Sequence, residues 1–154
     1  MGKNLKIAVG SDHGGLDLKN QLLSYLQSRG YFVQDCGTHS KDAVDYPRIA
    51  YTVARLVSSG SCDRGILVDG AGIGSAMAAN KVRGVRAAAC YSVALAKNSR
   101  EHNDANVLVM GERVIGKGVA LEIVKTWLDT PFAGGRHQKR LDKIANIDRS
   151  IAVK

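Results

Sequence analysis

The feature that most constrains this chain is an alternation. Short, almost uniformly apolar runs are separated by stretches with helical period: LKIAVG (5–10), YFVQDCG (31–37), RGILVDG (64–70), VRAAAC (85–90) and NVLVMG (106–111). A strand wetted on one face alternates apolar and polar residues, whereas a strand covered on both faces reads as continuous apolar sequence. Between the runs, Leu18, Leu22, Tyr25 and Leu26 share one helical face, as do Ile49, Val53, Leu56 and Val57, and then Val119, Ile123 and Trp127. Strands and helices in this rhythm predict parallel pairing through crossover helices, hence a doubly wound α/β sandwich of five βα units. Residues 136–150 predict one more helix outside that count. There is no internal repeat, low-complexity tract or Pro-, Gly- or Ser-rich linker, so residues 1–154 are expected to form a single domain.

Composition narrows the partners. No apolar run approaches the roughly 18 residues that span a bilayer. The stretch MGKNLKIAVG holds too few apolar residues for a secretory leader, so a cytoplasmic protein without a membrane partner is expected. Cys36, Cys62 and Cys90 are odd in number and lack CxxC spacing, which fits reduced thiols rather than a disulfide framework or a zinc site. A formal charge of +8 asks for an anionic partner, either nucleic acid or a small anionic metabolite. Aromatic residues make up only 5% of the chain, leaving little on which to stack bases, and a nucleic-acid role is not expected. From position 136 onward, Arg136, Lys139, Arg140, Lys143, Arg149 and Lys154 stand against Asp142 and Asp148.

Open parallel sheets bind ligands at the carboxyl ends of their strands. That rule selects GSDHGG (10–15), DGAGIGS (69–75), YSVALA (91–96) and GERVIG (111–116). The glycines at 70, 72 and 74 allow positive φ and let N–H groups converge on an anion, although the spacing is neither a dinucleotide fingerprint nor a P-loop. A tight strand-to-helix turn explains the same glycines. Asp69 has two readings: a cap for the helix that follows, or a general base raised in pKa by burial. Asp12 and His13 form either a helix start or an ionisable pair at the mouth. His102, at the predicted end of a helix, either complements that helix terminus or moves a proton. Arg136 and Arg140 are four residues apart on one helical face, where two guanidinium groups either grip a phosphate or form a surface stripe.

Six motifs carry a resemblance across nearly the whole chain: SDHGG (11–15), DYP (45–47), GAGIG (70–74) before AANK (78–81), EHNDANVL (101–108), GERVIG (111–116) and GGRHQKR (134–140). In order and register they resemble ribose-5-phosphate isomerase type B, a family that includes the galactose-6-phosphate isomerase subunits. The resemblance implies a three-layer α/β/α Rossmann-like sandwich with a five-stranded parallel sheet. It implies a homodimer or dimer of dimers, and aldose–ketose isomerisation of a phosphorylated sugar through an enediolate, with no metal or other cofactor. It further implies that Asp12 and His13 contact substrate, that His102 assists ring opening, and that Asn103 contacts the sugar. Tyr46 would line the pocket, and Gly70, Ala71, Gly72, Ile73 and Gly74 would stabilise the enediolate through main-chain N–H groups. Arg113, Arg136 and Arg140 would bind phosphate, some across the dimer. The pattern departs at the base. Many members carry cysteine at position 69 with threonine or serine two residues later, and others carry glutamate at position 75; this chain has Asp69, Ala71 and Ser75. The expectation is that Asp69 carries the C2 proton of ribose 5-phosphate. The alternatives are another sugar phosphate (tetrose, pentose or hexose) or an impaired binding subunit.

Overall fold

The computed structural model describes residues 4–151. The strands are β1 (Lys6–Ser11), β2 (Phe32–Asp35), β3 (Arg64–Asp69), β4 (Ala87–Ala89) and β5 (Val107–Gly111). The helices are α1 (Leu16–Ser28), α2 (Tyr46–Ser58), α3 (Gly74–Ala79), α4 (Val93–Glu101), α5 (Lys117–Asp129) and α6 (Arg136–Ile151). All four strand pairings are parallel, in the order β2-β1-β3-β5-β4. The predicted runs sit on these strands: the first is shifted by one residue, and the other four are one to three residues longer than observed.

The continuous apolar runs have the expected cause: each face of the sheet has its own core. On one face Ile7, Val9, Ile66 and Val68 meet Leu18, Leu22 and Leu26 of α1, Ala96 of α4, and Ile123 and Trp127 of α5. On the other, Ala8, Leu67, Val107 and Val109 meet Val53 and Val57 of α2 and Ala79 of α3. Burying each such large aliphatic side chain stabilises the fold by roughly 1.5–3 kcal/mol. Pro47 lies in the first turn of α2, where its missing N–H costs nothing. One predicted face needs correction. Val119 is 47% exposed, and α5 packs instead through Ala120, Ile123, Val124, Trp127 and Leu128. The buried stripe is centred one residue further along the helix, which leaves Val119 on its rim.

Two features of this topology set where the polar side chains gather. After β1 the chain passes to the α1 face, and after the adjacent β3 it passes to the α3 face, so the β1 and β3 carboxyl ends part and leave a crevice between them. Helix α6 lies outside the layers. It is fastened by buried His137 and Leu141 and by the Asp148 carboxylate, which accepts the Gly84 N–H at 2.9 Å. Ile144, Ile147 and Ile151 of the same helix are exposed.

Candidate active site

At the crevice, β1 runs out into Asp12 and a single 3-10 turn, His13–Gly15. Asp12 Oδ1 accepts the Gly15 N–H at 3.1 Å and thereby caps the turn. A side chain at Gly15 would collide with the Val68 carbonyl, 2.4 Å from where its Cβ would stand, so the turn can press on β3 only as glycine. His13 is exposed, and its Nδ1 accepts the Val44 N–H at 3.2 Å. When neutral, the ring therefore carries its proton on Nε2.

The glycine loop after β3 is packed as tightly. Gly72 has φ +81°, and a Cβ there would stand 2.9 Å from the Met110 carbonyl carbon. The ring of Tyr46 covers Gly74, and Arg113 runs alongside Gly70. Among the described residues the Ala71 and Ile73 N–H groups donate to no protein acceptor. Asp69 is 4% exposed; its Oδ1 accepts the Gly72 N–H and its Oδ2 accepts the Ser75 N–H at 3.1 Å. The capping reading of Asp69 is thus seen directly, as is that of Asp12. A carboxylate has about four lone-pair directions, and these contacts use two of those on Asp69. Burial pushes the Asp12 carboxyl above the ordinary carboxylate range, and the charge of Asp69 adds to that push.

The structure gathers Asp12, His13, Tyr46, Asp69, Gly70, Ala71, Gly72, Ile73, Gly74, Ser75 and Arg113 around this carboxyl-edge crevice. The remaining predicted residues are elsewhere. His102 ends α4, and Asn103 follows it, before β5 begins. They stand at the amino edge of the sheet, with all of β5 between them and the crevice, roughly 16 Å at about 3.3 Å per residue. Arg136 and Arg140 open α6 at that same edge: the His137 ring between them stacks on His102 with centroids 4.2 Å apart and planes 11° apart. One chain therefore does not bring its two groups of candidate residues together.

The amino-edge group is built by side chains. The Asn98 amide donates to His102 Nδ1 at 2.9 Å, leaving the neutral ring its proton on Nε2. Asp104 holds φ +45°, an unusual conformation for a residue with a side chain. Its carboxylate lies between Arg100 Nη1 at 2.7 Å and Arg86 Nη2 at 3.2 Å. Arg86 also donates to the Asn103 and Asp104 carbonyls, so the turn carrying His102 and Asn103 is clamped on both sides. Burial, His102 and the two arginines hold His137 below the usual histidine range. Sequence reasoning placed Asp104 beside His102 and Asn103 but gave no role to it or to His137, Asn98 or Tyr91. The Tyr91 hydroxyl donates to the Ala71 carbonyl at 2.5 Å, beside an apolar groove of about 530 Å³ that includes exposed Ile73, Met77 and Val114. The strand-end rule had marked its segment, and a tyrosine just past a short strand was the available signal.

Among the described residues no group of three or more His, Cys, Asp or Glu side chains is placed to hold a metal ion. Comparison with known proteins agrees with the geometry. The Ribose/Galactose Isomerase family model matches residues 7–144. Ribose-5-phosphate isomerase B of Escherichia coli (strain K12) is 46% identical over 144 residues, covering 94% of this chain and 97% of that protein. D-erythrulose-4-phosphate isomerase of Pectobacterium atrosepticum is 43% identical over 144 residues, covering 91% and 93%. The structure of Clostridium thermocellum ribose-5-phosphate isomerase B superposes with a TM-score of 0.94 at 52% identity, covering 96% of this chain and 99% of that one. That of Mycoplasma genitalium ribose-5-phosphate isomerase B with bound ribulose-5-phosphate gives 0.91 at 42% identity, covering 94% and 96%. Motifs, topology and relatives converge: the chain belongs to the ribose-5-phosphate isomerase B and galactose-6-phosphate isomerase family and is a sugar-phosphate aldose–ketose isomerase.

Proposed function

We propose that this enzyme interconverts ribose 5-phosphate and ribulose 5-phosphate in a site shared by two copies of the chain. The observation that carries the reading is the separation of the two residue groups. A crevice with carboxylates and free loop N–H groups lies at one edge, and an imidazole with two arginines lies at the other. A homodimer that sets the amino edge of one copy over the carboxyl edge of the next completes the site twice. The exposed apolar groove at Ile73, Met77 and Val114 and the exposed isoleucines of α6 supply surface for that contact.

In this arrangement Arg136 and Arg140, with Arg113, grip the phosphate through forked, charge-assisted hydrogen bonds. His102, its ring oriented by Asn98, donates its Nε2–H to the ring oxygen and, as imidazolium, gives that proton up while the C1 hydroxyl loses its own to water and the furanose opens, and Asn103 steadies the sugar hydroxyls. His13 Nε2 and Tyr46 line the sugar. Proton transfer from C2 to C1 takes place beside Asp69, while N–H groups of the loop from Gly70 to Gly74 hold the oxyanion. Preorganised donors of this kind are worth about 2.7–4 kcal/mol each in the transition state. Reduced thiols at Cys36, Cys62 and Cys90 support a cytoplasmic setting, and no described helix is long and apolar enough to cross a membrane.

One observation favours a second reading of the substrate. Ala71 brings no hydroxyl to the loop, and a relative named as a D-erythrulose-4-phosphate isomerase is 43% identical, so a shorter sugar phosphate is the alternative. The test is a panel of tetrose, pentose and hexose phosphates assayed for aldose–ketose exchange. The proposal expects the highest kcat/KM with ribose 5-phosphate; a clear preference for a tetrose phosphate transfers the assignment.

A further inference from the structure

Two carboxylates line the crevice, and they are held differently. Asp69 is enclosed, and each of its oxygens accepts a main-chain N–H, from Gly72 and from Ser75. Both oxygens are thus engaged in shaping the loop. Asp12 is only partly buried and spends Oδ1 on the Gly15 N–H. Among the described residues its Oδ2 accepts no hydrogen bond. Asp12 also flanks the oxyanion loop directly: a Cβ on Gly14 would lie 3.3 Å from Asp12 Oδ1 and 3.5 Å from the Gly70 nitrogen. A general base needs a lone pair open to the substrate and a proton affinity above that of a free carboxylate. Asp12 meets the first through its open Oδ2. It meets the second through burial, reinforced by the charge of Asp69 and partly offset by His13 and the Gly14 and Gly15 N–H groups.

We propose that Asp12 Oδ2 is the base that carries the proton between C2 and C1, and that Asp69 is a positioning residue that holds the glycine loop and keeps a fixed negative charge facing Asp12. The assignment rests on the isomerase reading above. In the forward step the C2–H bond breaks, its proton goes to Asp12, and its electron pair forms the C1–C2 double bond as the carbonyl π pair moves to O1. The enediolate oxygen faces the free loop N–H groups. Asp12 then returns the proton to C1, and the proton of the C2 hydroxyl passes to O1. C1 is reduced and C2 oxidised within one molecule, with no external reductant.

The experiment is exchange of the C2 hydrogen of ribose 5-phosphate in D₂O, with pH profiles of kcat/KM, for the parent, Asp12→Asn and Asp69→Asn. Asp12→Asn is expected to keep the parental melting temperature within a few degrees and to lose exchange by roughly 10²–10⁴-fold. Asp69→Asn, which can accept only one of the two N–H bonds, is expected to melt lower and to exchange more slowly. The acid limb of its profile should move to lower pH, because the charge facing Asp12 is gone. Exchange by Asp12→Asn at near-parental rate, or an acid limb that Asp69→Asn leaves in place, overturns the assignment. If Asp69→Asn does not fold, Asp12→Asn alone decides. A parent that exchanges no sugar phosphate in the panel overturns the isomerase reading, and this assignment with it.

Discussion

At the carboxyl edge of the sheet the candidate side chains are held by main chain; at the amino edge they are held chiefly by one another, with Arg86 and Arg100 also reaching main-chain carbonyls. Asp12, Asp69, His13 and Glu112 each accept a backbone N–H, from Gly15, from Gly72 and Ser75, from Val44 and from Leu18. Across the sheet, Asp104 sits between Arg86 and Arg100, and His102 sits between Asn98 and His137. Main-chain contacts demand glycine where backbones touch and are insensitive to salt. Contacts among charged side chains tolerate varied backbones but respond to pH and ionic strength. The first edge is a rigid mould, and the second is an electrostatic assembly.

The contrast breaks or sharpens under substitution. The largest effect is expected from His102→Ala, which removes the ring-opening proton while leaving the carboxyl edge intact. Turnover should fall by roughly 10²–10⁴-fold with ribose 5-phosphate. Next is Gly111→Ala, whose Cβ would stand 2.5 Å from the Ala71 main chain. Overpacking of this kind costs roughly 1–3 kcal/mol and should lower both melting temperature and turnover. An unchanged melting temperature would show that the mould yields. Arg140→Ala should raise KM about 10- to 100-fold, the value of one charge-assisted bond, and leave the melting temperature alone. The KM difference should shrink at high salt. Asp104→Asn preserves a residue type tolerant of positive φ but removes both ion pairs. It is expected to cost roughly 1 kcal/mol by denaturant melting, since Arg100 keeps the Ala105 and Thr130 carbonyls.

The smallest effect is with pH. His137 is held below its ordinary value of 6.5 by burial, His102, Arg136 and Arg140. The folded state therefore binds that proton less tightly than the unfolded chain does. The stability linked to His137 is present above pH 6.5 and lost as pH falls below it. Hydrogen exchange in residues 100–105 and 136–141 should accelerate below that pH before exchange in residues 69–75 does. Equal acceleration at both edges would erase the distinction.

Much of the fold was legible because it rests on periodicity. The five apolar runs and the helical faces on α1 and α2 follow from two-sided burial, and the one misplaced face, at Val119, lay where a first turn overhangs the rim. The carboxyl-edge site was legible for a related reason. Glycine at 72 and 111 is dictated by close backbone approach, so the motif exposes the geometry. The role of Asp69 was less so, since capping and base chemistry ask for the same residue at the same place. At the amino edge His102, Asn103, Arg136 and Arg140 were legible in the motifs, but the contacts that hold them were hidden. Asn98, His102 and Asp104 are ordinary polar residues along a helix end, and their partners Arg86 and His137 are distant in sequence. Only the fold shows that His102 lies a full strand length from Asp69, so that residues read as one site fall on two surfaces.

That separation can be tested by mixing two inactive chains. Asp12→Asn disables the carboxyl edge and His102→Ala the amino edge, so each homodimer should be nearly inert. If the site is shared between copies, unfolding and refolding the two variants together at equal concentration gives mixed dimers, each with one intact site, and about a quarter of parental activity should return. If each chain holds its own complete site, every site in the mixture carries one lesion and no activity returns. That result would contradict the account.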